Sequence, residues 1–171
     1  MKSLVSSLAF VLLAAPAFAQ DAYSTTPSQT SEVYGDWTVA CGVSDGQRQC
    51  AMTQTLVETG TSQHVMTIEL ARGETGQLEG MLVGPFGMDF SAGVTLSVDS
   101  EAIGPALPFL TCLPTGCLIP LSLSDAQRQR LAAGTALTIT GHSADGITAI
   151  PISLSLTGFT AAAQRVDQQG S

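Results

Sequence analysis

The sequence predicts an all-β domain, folded as a sandwich of short antiparallel strands with one short helix over 124–133. Three observations carry this. Apolar residues recur with a period of two along a series of short runs. Glycine, proline and aspartate pairs interrupt those runs at short intervals. One segment alone carries a full set of helix start and stop signals.

In chain order, residues 1–19 read as a secretory signal peptide. Lys2 supplies the positive start, Leu4 to Leu13 an apolar stretch, and Ala17-Phe18-Ala19 a small-x-small cleavage site behind Pro16. The apolar stretch is too short for a spanning helix, which needs ~20 residues. No cysteine follows the cleavage site, so a lipid-anchored N-terminus is excluded. The expected location is the periplasm or the secreted fraction, with no stable membrane anchor after cleavage. Residues 20–32 are rich in Ser, Thr, Pro and Gln and read as a flexible leader, because they bury too little apolar surface to offset their ordering entropy.

Order is expected from Val33, with one domain over 33–166 and a flexible tail at 167–171. Trp37, Val39 and Cys41 alternate with polar or small residues, and Cys50, Met52, Gln54 and Leu56 continue that period after a glycine-containing turn. Met66, Ile68 and Leu70 form the next run, then Leu96 with Val98, Leu137 with Ile139, and finally Ile150, Ile152 and Leu154. Turns are marked by Gly42 to Gly46, Gly73 to Gly76, Gly84-Pro85, Gly104-Pro105 and Asp145-Gly146. The helix signal is Ser124-Asp125-Ala126-Gln127, a capping box, with Gly134 placed to end the helix. A second, shorter helical stretch fits Phe159 to Val166.

Charge narrows the partners. Lys2 leaves with the signal, so five scattered arginines face fourteen acidic residues and the mature chain carries a net charge of −9. Phosphate recognition needs clustered Lys and Arg, so nucleic acid and anionic lipid are excluded as partners.

The cysteines are Cys41, Cys50, Cys112 and Cys117, an even number in an exported chain, which points to two disulfides. Three connectivities are open. The close pairs Cys41 with Cys50 and Cys112 with Cys117 each suit a hairpin whose strands lie side by side. Structural zinc prefers cysteine pairs two to four residues apart, and eight residues separate Cys41 from Cys50, so no metal site is expected.

Catalytic chemistry finds little support. Gly42-Val43-Ser44-Asp45-Gly46 matches the nucleophile-elbow pattern G-x-S-x-G, but the elbow is a strand-to-helix turn and here the following residues read as a strand. The segment is therefore read as a turn, leaving Ser44 as the least implausible nucleophile of a hydrolase. His64 and His142 sit in no metal-ligand motif, and nothing in the spacing of Asp89, Asp99, Glu101 and Asp145 makes an acid/base pair. No catalytic residue and no cofactor is expected. Trp37 is in phase with Val39 and Cys41, which assigns its ring to the core.

These residues together resemble the invasion-associated locus B family of small exported bacterial proteins. Gly35-Asp36-Trp37-Thr38-Val39-Ala40-Cys41 and Cys50-Ala51-Met52-Thr53-Gln54 are similar to its first two strands. Gly84-Pro85-Phe86-Gly87 through Gly93 to Asp99, Phe109 to Cys112 with Gly116-Cys117, and Ile152 to Ala162 follow in the family's order, so that the resemblance covers Tyr34 to Val166. It implies an immunoglobulin-like β-sandwich in the periplasm or cell envelope, with some relatives linked to host-cell invasion and no catalytic residues to carry over. The expected function is a non-enzymatic binding module for another envelope or host protein, contacting it through loops at Gly42 to Gln49 or Pro114 to Gly116, or through an exposed edge strand. A small-ligand-binding domain is the alternative and needs a deep apolar pocket between the sheets.

Overall fold

The computed structural model describes residues 29–44 and 46–168. Residues 1–28, which hold the expected signal peptide and most of the expected leader, together with Asp45 and residues 169–171, lie outside the described residues.

Two antiparallel sheets share one core, as a sandwich. The larger has the order β1-β2-β3-β4-β5-β9-β8, and the smaller β11-β10-β6-β7. In the larger sheet the chain meanders through β1 (Gln29–Tyr34), β2 (Trp37–Ser44), β3 (Gln47–Val57), β4 (His64–Arg72) and β5 (Leu78–Gly84). It then crosses to the smaller sheet for β6 (Thr95–Val98) and β7 (Glu101–Ala102), and returns as the hairpin β8 (Thr111–Leu113) and β9 (Gly116–Leu123). Helix α1 (Asp125–Ala133) leads to β10 (Ala136–His142) and β11 (Ala149–Ser155), and α2 (Phe159–Asp167) follows.

The core lies where inward positions of both sheets meet. Val39, Met52, Met66, Ile68 and Leu70 from the larger sheet join Leu96, Val98, Leu137, Ile139 and Leu154 from the smaller in one buried cluster. Trp37 is fully buried and packs edge-on against Phe159 of α2, with ring centroids 5.5 Å apart. Its indole Nε1 donates to the Ser155 carbonyl at 3.2 Å. Gln54 is the one buried polar side chain among the described residues, and it is satisfied in both directions. Its Nε2 donates to the Ser155 carbonyl at 2.9 Å and its Oε1 accepts from the Ser155 amide at 3.0 Å, so a single amide joins β3 to the end of β11.

Helix α1 has the expected capping box, Ser124 receiving the Gln127 amide while Gln127 Oε1 receives the Ser124 amide, and ends at Gly134. Helix α2 buries Phe159, Ala162, Ala163 and Val166. Its entry requires glycine: Gly158 has φ +89° and a Cβ there would lie 2.0 Å from the Tyr34 carbonyl oxygen.

Order begins earlier than the composition indicates. Residues 29–32, assigned above to the flexible leader, are the first four residues of β1, which pairs with β2 from Gln29↔Gly42 to Tyr34↔Trp37. The bonds that hold this strand are polar. Glu32 accepts from Arg165 Nε at 2.9 Å and from the Tyr34 hydroxyl, while Arg48 donates to Thr30 at 2.8 Å. A strand held by its backbone ladder and an ion pair carries no apolar alternation to read. Asp167, assigned to the tail, belongs to α2 and pairs with Arg72 and Arg128.

Strands β5 and β9 were also absent from the periodic runs. In β5, Gly80 lies so close to β4 that a Cβ would fall 1.8 Å from the Glu69 carbonyl oxygen. In β9, Pro120 has no amide for a ladder, which normally confines proline to an edge. Here β8 stops opposite Leu118, so the outer side of Pro120 is a local edge.

Candidate interaction site

The register of the larger sheet separates the two disulfides. Cys41 pairs with Cys50 across β2 and β3, level with Arg72, Leu78 and Leu123. Cys112 pairs with Cys117 across β8 and β9, level with Gly84 at the other end of β5. Both pairs are disulfide-bonded and no free cysteine remains among the described residues. The six residue steps from Cys117 to Leu123 correspond to roughly 20 Å along the strand. The two loops expected to contact a partner, Gly42 to Gln49 and Pro114 to Gly116, therefore stand at opposite ends of the sheet.

The end near Cys112–Cys117 gathers three segments. The first, between β5 and β6, runs Pro85-Phe86-Gly87-Met88-Asp89-Phe90, and Gly87 turns it with φ +82°. Met88 faces the core and bridges to Ser143, Val94 bridges to Leu107, and Phe86 and Phe90 are left outward. The second segment, Leu107 to Leu110, enters the β8–β9 hairpin, with the Leu110 amide bonded to the Leu118 carbonyl at 2.8 Å. The third is the turn between β10 and β11, whose Ala144 amide donates to the Gly87 carbonyl at 2.9 Å.

Apolar side chains cover this end. Phe86 is 61% exposed, Leu110 63% and Ile147 81%, and Phe90 and Leu113 are close to half exposed. Phe90 stacks on Phe109 with ring centroids 4.5 Å apart. Large apolar residues scattered singly need no explanation, but a group drawn from three adjoining loops makes this end the candidate interaction surface.

Two carboxylates border it. Asp89 Oδ1 accepts the Ser91 hydroxyl at 2.7 Å and the Ser91 amide at 2.8 Å, which hold its pKa below the usual carboxylate value. The Ser143 hydroxyl and the Ile147 amide do the same for Asp145. The loops adjoin closely enough that a Cβ on Gly146 would lie 3.6 Å from Asp89 Oδ2. Both aspartates are anionic at neutral pH. No Lys or Arg occurs in 84–94, 106–118 or 141–149. The arginines are engaged elsewhere: Arg48 with Thr30, Arg72 and Arg128 with Asp167, Arg130 with Glu101, and Arg165 with Glu32.

The residues considered for catalysis are dispersed. Ser44 is exposed at the end of β2 opposite Gln47, whereas His64 lies opposite Val57 at the far end of β3. Ten residue steps of a strand place them roughly 30 Å apart. His64 Nε2 bonds instead to Thr67 Oγ1 at 2.8 Å, and His142 belongs to the other sheet. Asp99 accepts from the amides of Thr135 and Ala136, which with the Thr135 hydroxyl lower its pKa, and Glu101 pairs with Arg130. Asp99 thus ties the turn at Thr135 to the end of β6, and Glu101 is held by an arginine. Among the described residues no group of three metal-ligating side chains converges.

Sequence reasoning did not single out Phe86, Phe90, Phe109, Leu110, Leu113 and Ile147 as a surface. The signal was present as large apolar residues inside turn-rich stretches such as Gly84-Pro85-Phe86-Gly87, where no strand period accounts for them.

Comparison with known proteins gives a consistent picture. The family model described as Invasion associated locus B (IalB) protein matches residues 37–167. An invasion protein B homologue of Brucella abortus (strain 2308) is 38% identical over 139 residues, covering 81% of this chain and 80% of the relative. Invasion protein B of Bartonella bacilliformis is 31% identical over 120 residues, covering 68% of this chain and 64% of that protein. The crystal structure of invasion associated protein b from Bartonella henselae superposes with a TM-score of 0.74 at 28% identity, covering 80% of this chain and 94% of the other.

Proposed function

We propose, because the chain belongs to the invasion-associated locus B family, that it acts as a non-enzymatic, exported binding module of the bacterial envelope. Its contact surface is the Phe86 end, and its partner is another envelope protein or a host protein. The observation that carries this reading is the group of exposed Phe86, Phe90, Leu110, Leu113 and Ile147 on three adjoining loops. Two disulfides fit an oxidising compartment. Among the described residues no helix is long and apolar enough to cross a membrane.

The rival readings have less support. A hydrolase built on Ser44 would need a base within hydrogen-bond reach, and His64 is held at the far end of β3. A small-ligand domain would need space between the sheets, which Trp37, Met52, Met66, Ile68 and Ile139 fill with at most 1% exposure each.

Capture from native envelope extract and from host-cell extract, with identification of retained proteins, tests the reading. The same protein should be retained by the wild type and by a Val43→Ser variant, and lost with Phe86→Ser/Leu110→Ser/Leu113→Ser. Retention by the triple variant would remove the Phe86 end as the contact surface.

A further inference from the structure

The geometry points to a partner segment that presents apolar side chains beside Lys or Arg, so that its cations meet Asp89 and Asp145 while its apolar groups cover Phe86, Phe90, Leu110 and Leu113. This rests on the Phe86 end being the contact surface and specifies what docks there.

Charge placement carries the inference. The chain is strongly acidic, yet its few arginines are all drawn to other parts of the molecule. The apolar end therefore has carboxylates on its border and no lysine or arginine to offset them, the His142 imidazole being the one basic side chain acting on Asp89. Hydrogen bonds from Ser91 and from Ser143 and Ile147 hold both carboxylates in place before any partner arrives. A carboxylate has about four lone-pair sites, so each keeps capacity for an ammonium or guanidinium beyond the bonds it already makes. Apolar residues at the centre with charge at the rim is the usual anatomy of a protein interface.

The same placement disfavours other occupants. A two-fold related copy would bring Asp89 and Asp145 toward the same acidic patch, a like-charge arrangement. An anionic bilayer would be repelled by both carboxylates. A zwitterionic bilayer would have to strip water from them without returning a cation.

Two peptide probes test it on the whole mature protein: one alternating leucine with arginine, and its counterpart with glutamate for arginine. Titration at physiological salt should show saturable binding of the arginine peptide alone. Its affinity should fall about tenfold with Phe86→Ser/Leu110→Ser/Leu113→Ser. It should fall severalfold with Asp89→Asn/Asp145→Asn, which retains the local acceptors. Circular dichroism melts on both variants establish that they are folded. Patch-dependent binding of the glutamate peptide at equal or greater affinity would overturn the cationic partner and leave the contact surface standing. Arginine-peptide binding that ignores the triple variant would overturn both. Absence of saturable binding, adsorption to phosphatidylcholine vesicles, or self-association abolished by the triple variant would each overturn the proposal.

Discussion

The two disulfide-bearing ends of the larger sheet use the same covalent device in opposite surroundings. Cys41 and Cys50 are both buried, in the middle of paired strands, and Arg165 of α2 reaches over Cys50. Cys112 is exposed on a three-residue edge strand, and its partner Cys117 is buried. Around the first pair polar neighbours bond one another, as in Arg48 with Thr30 and Glu32 with Arg165, and Val43 is the large apolar side chain left exposed beside them. Around the second, large apolar side chains face solvent without cover. The first end engages most of its side chains in internal contacts; the second leaves more large apolar ones exposed. A disulfide therefore identifies a hairpin, and only its surroundings distinguish the buried hairpin from the one proposed to meet a partner.

The largest effect should come from the structural side of that comparison. Trp37→Ala removes a fully buried ring and should cost ~3–5 kcal/mol in chemical denaturation. Binding at the Phe86 end should persist in whatever fraction remains folded. If Trp37→Ala keeps wild-type stability, the core assignment of the first described hairpin is wrong.

The disulfides sharpen the contrast. Non-reducing peptide mapping should find Cys41 linked to Cys50 and Cys112 linked to Cys117. The chain-entropy model gives about 2.5 kcal/mol for the first link and about 2 kcal/mol for the second. The paired variants Cys41→Ser/Cys50→Ser and Cys112→Ser/Cys117→Ser should follow that order in urea melts. Only the second should also weaken partner capture, because it frees the β8–β9 hairpin. Equal loss of capture in both would erase the distinction between the ends.

On the recognition side, Phe86→Ser/Leu110→Ser/Leu113→Ser should shift stability by about 0.5 kcal/mol per site or less, as for ordinary surface substitutions. A severe destabilisation would show that these side chains support the fold.

The smallest effect concerns pH. Hydrogen bonds from Tyr34 and Arg165 lower the Glu32 pKa from its usual 4.5. Those from Thr135 and Ala136 lower that of Asp99 from 3.8, and Asp89 and Asp145 are lowered in the same way. A depressed carboxylate contributes stability that is fully present above its unfolded pKa and is lost as pH falls through its folded pKa. Thermal midpoints should therefore stay level from about pH 7 to pH 5 and fall once pH drops below about 4. Glu32→Gln and Asp99→Asn should each flatten part of that acid limb, measured against wild type across the same buffers.

Much of this fold was legible because burial leaves a period. Trp37-Val39-Cys41, Met66-Ile68-Leu70 and Leu137-Ile139 alternate because one face of each strand is wet and the other dry. The capping box at Ser124 is equally local, since its bonds span three residues. Strand β1 left no such trace: its ladder is made of backbone groups and its anchor, Arg165, lies 133 residues away. Strands β5 and β9 were hidden by Gly80 and Pro120, whose presence depends on a close β4 backbone and on the short reach of β8.

By itself, then, the sequence determined the class, most strand positions, the first helix and the family resemblance, because hydrophobic alternation, capping and turn chemistry act over a few residues. Tertiary structure decided which loops share an end. Phe86, Leu110 and Ile147 are separated by 24 and 37 residues, and only the crossing between the two sheets brings their segments side by side. The length of β3 set Ser44 and His64 at opposite ends of the larger sheet, and tertiary ion pairs drew Arg72, Arg128 and Arg165 away from the apolar end. Charge and exposure at a site are sums over neighbours in space, and a chain read in order lists neighbours in sequence.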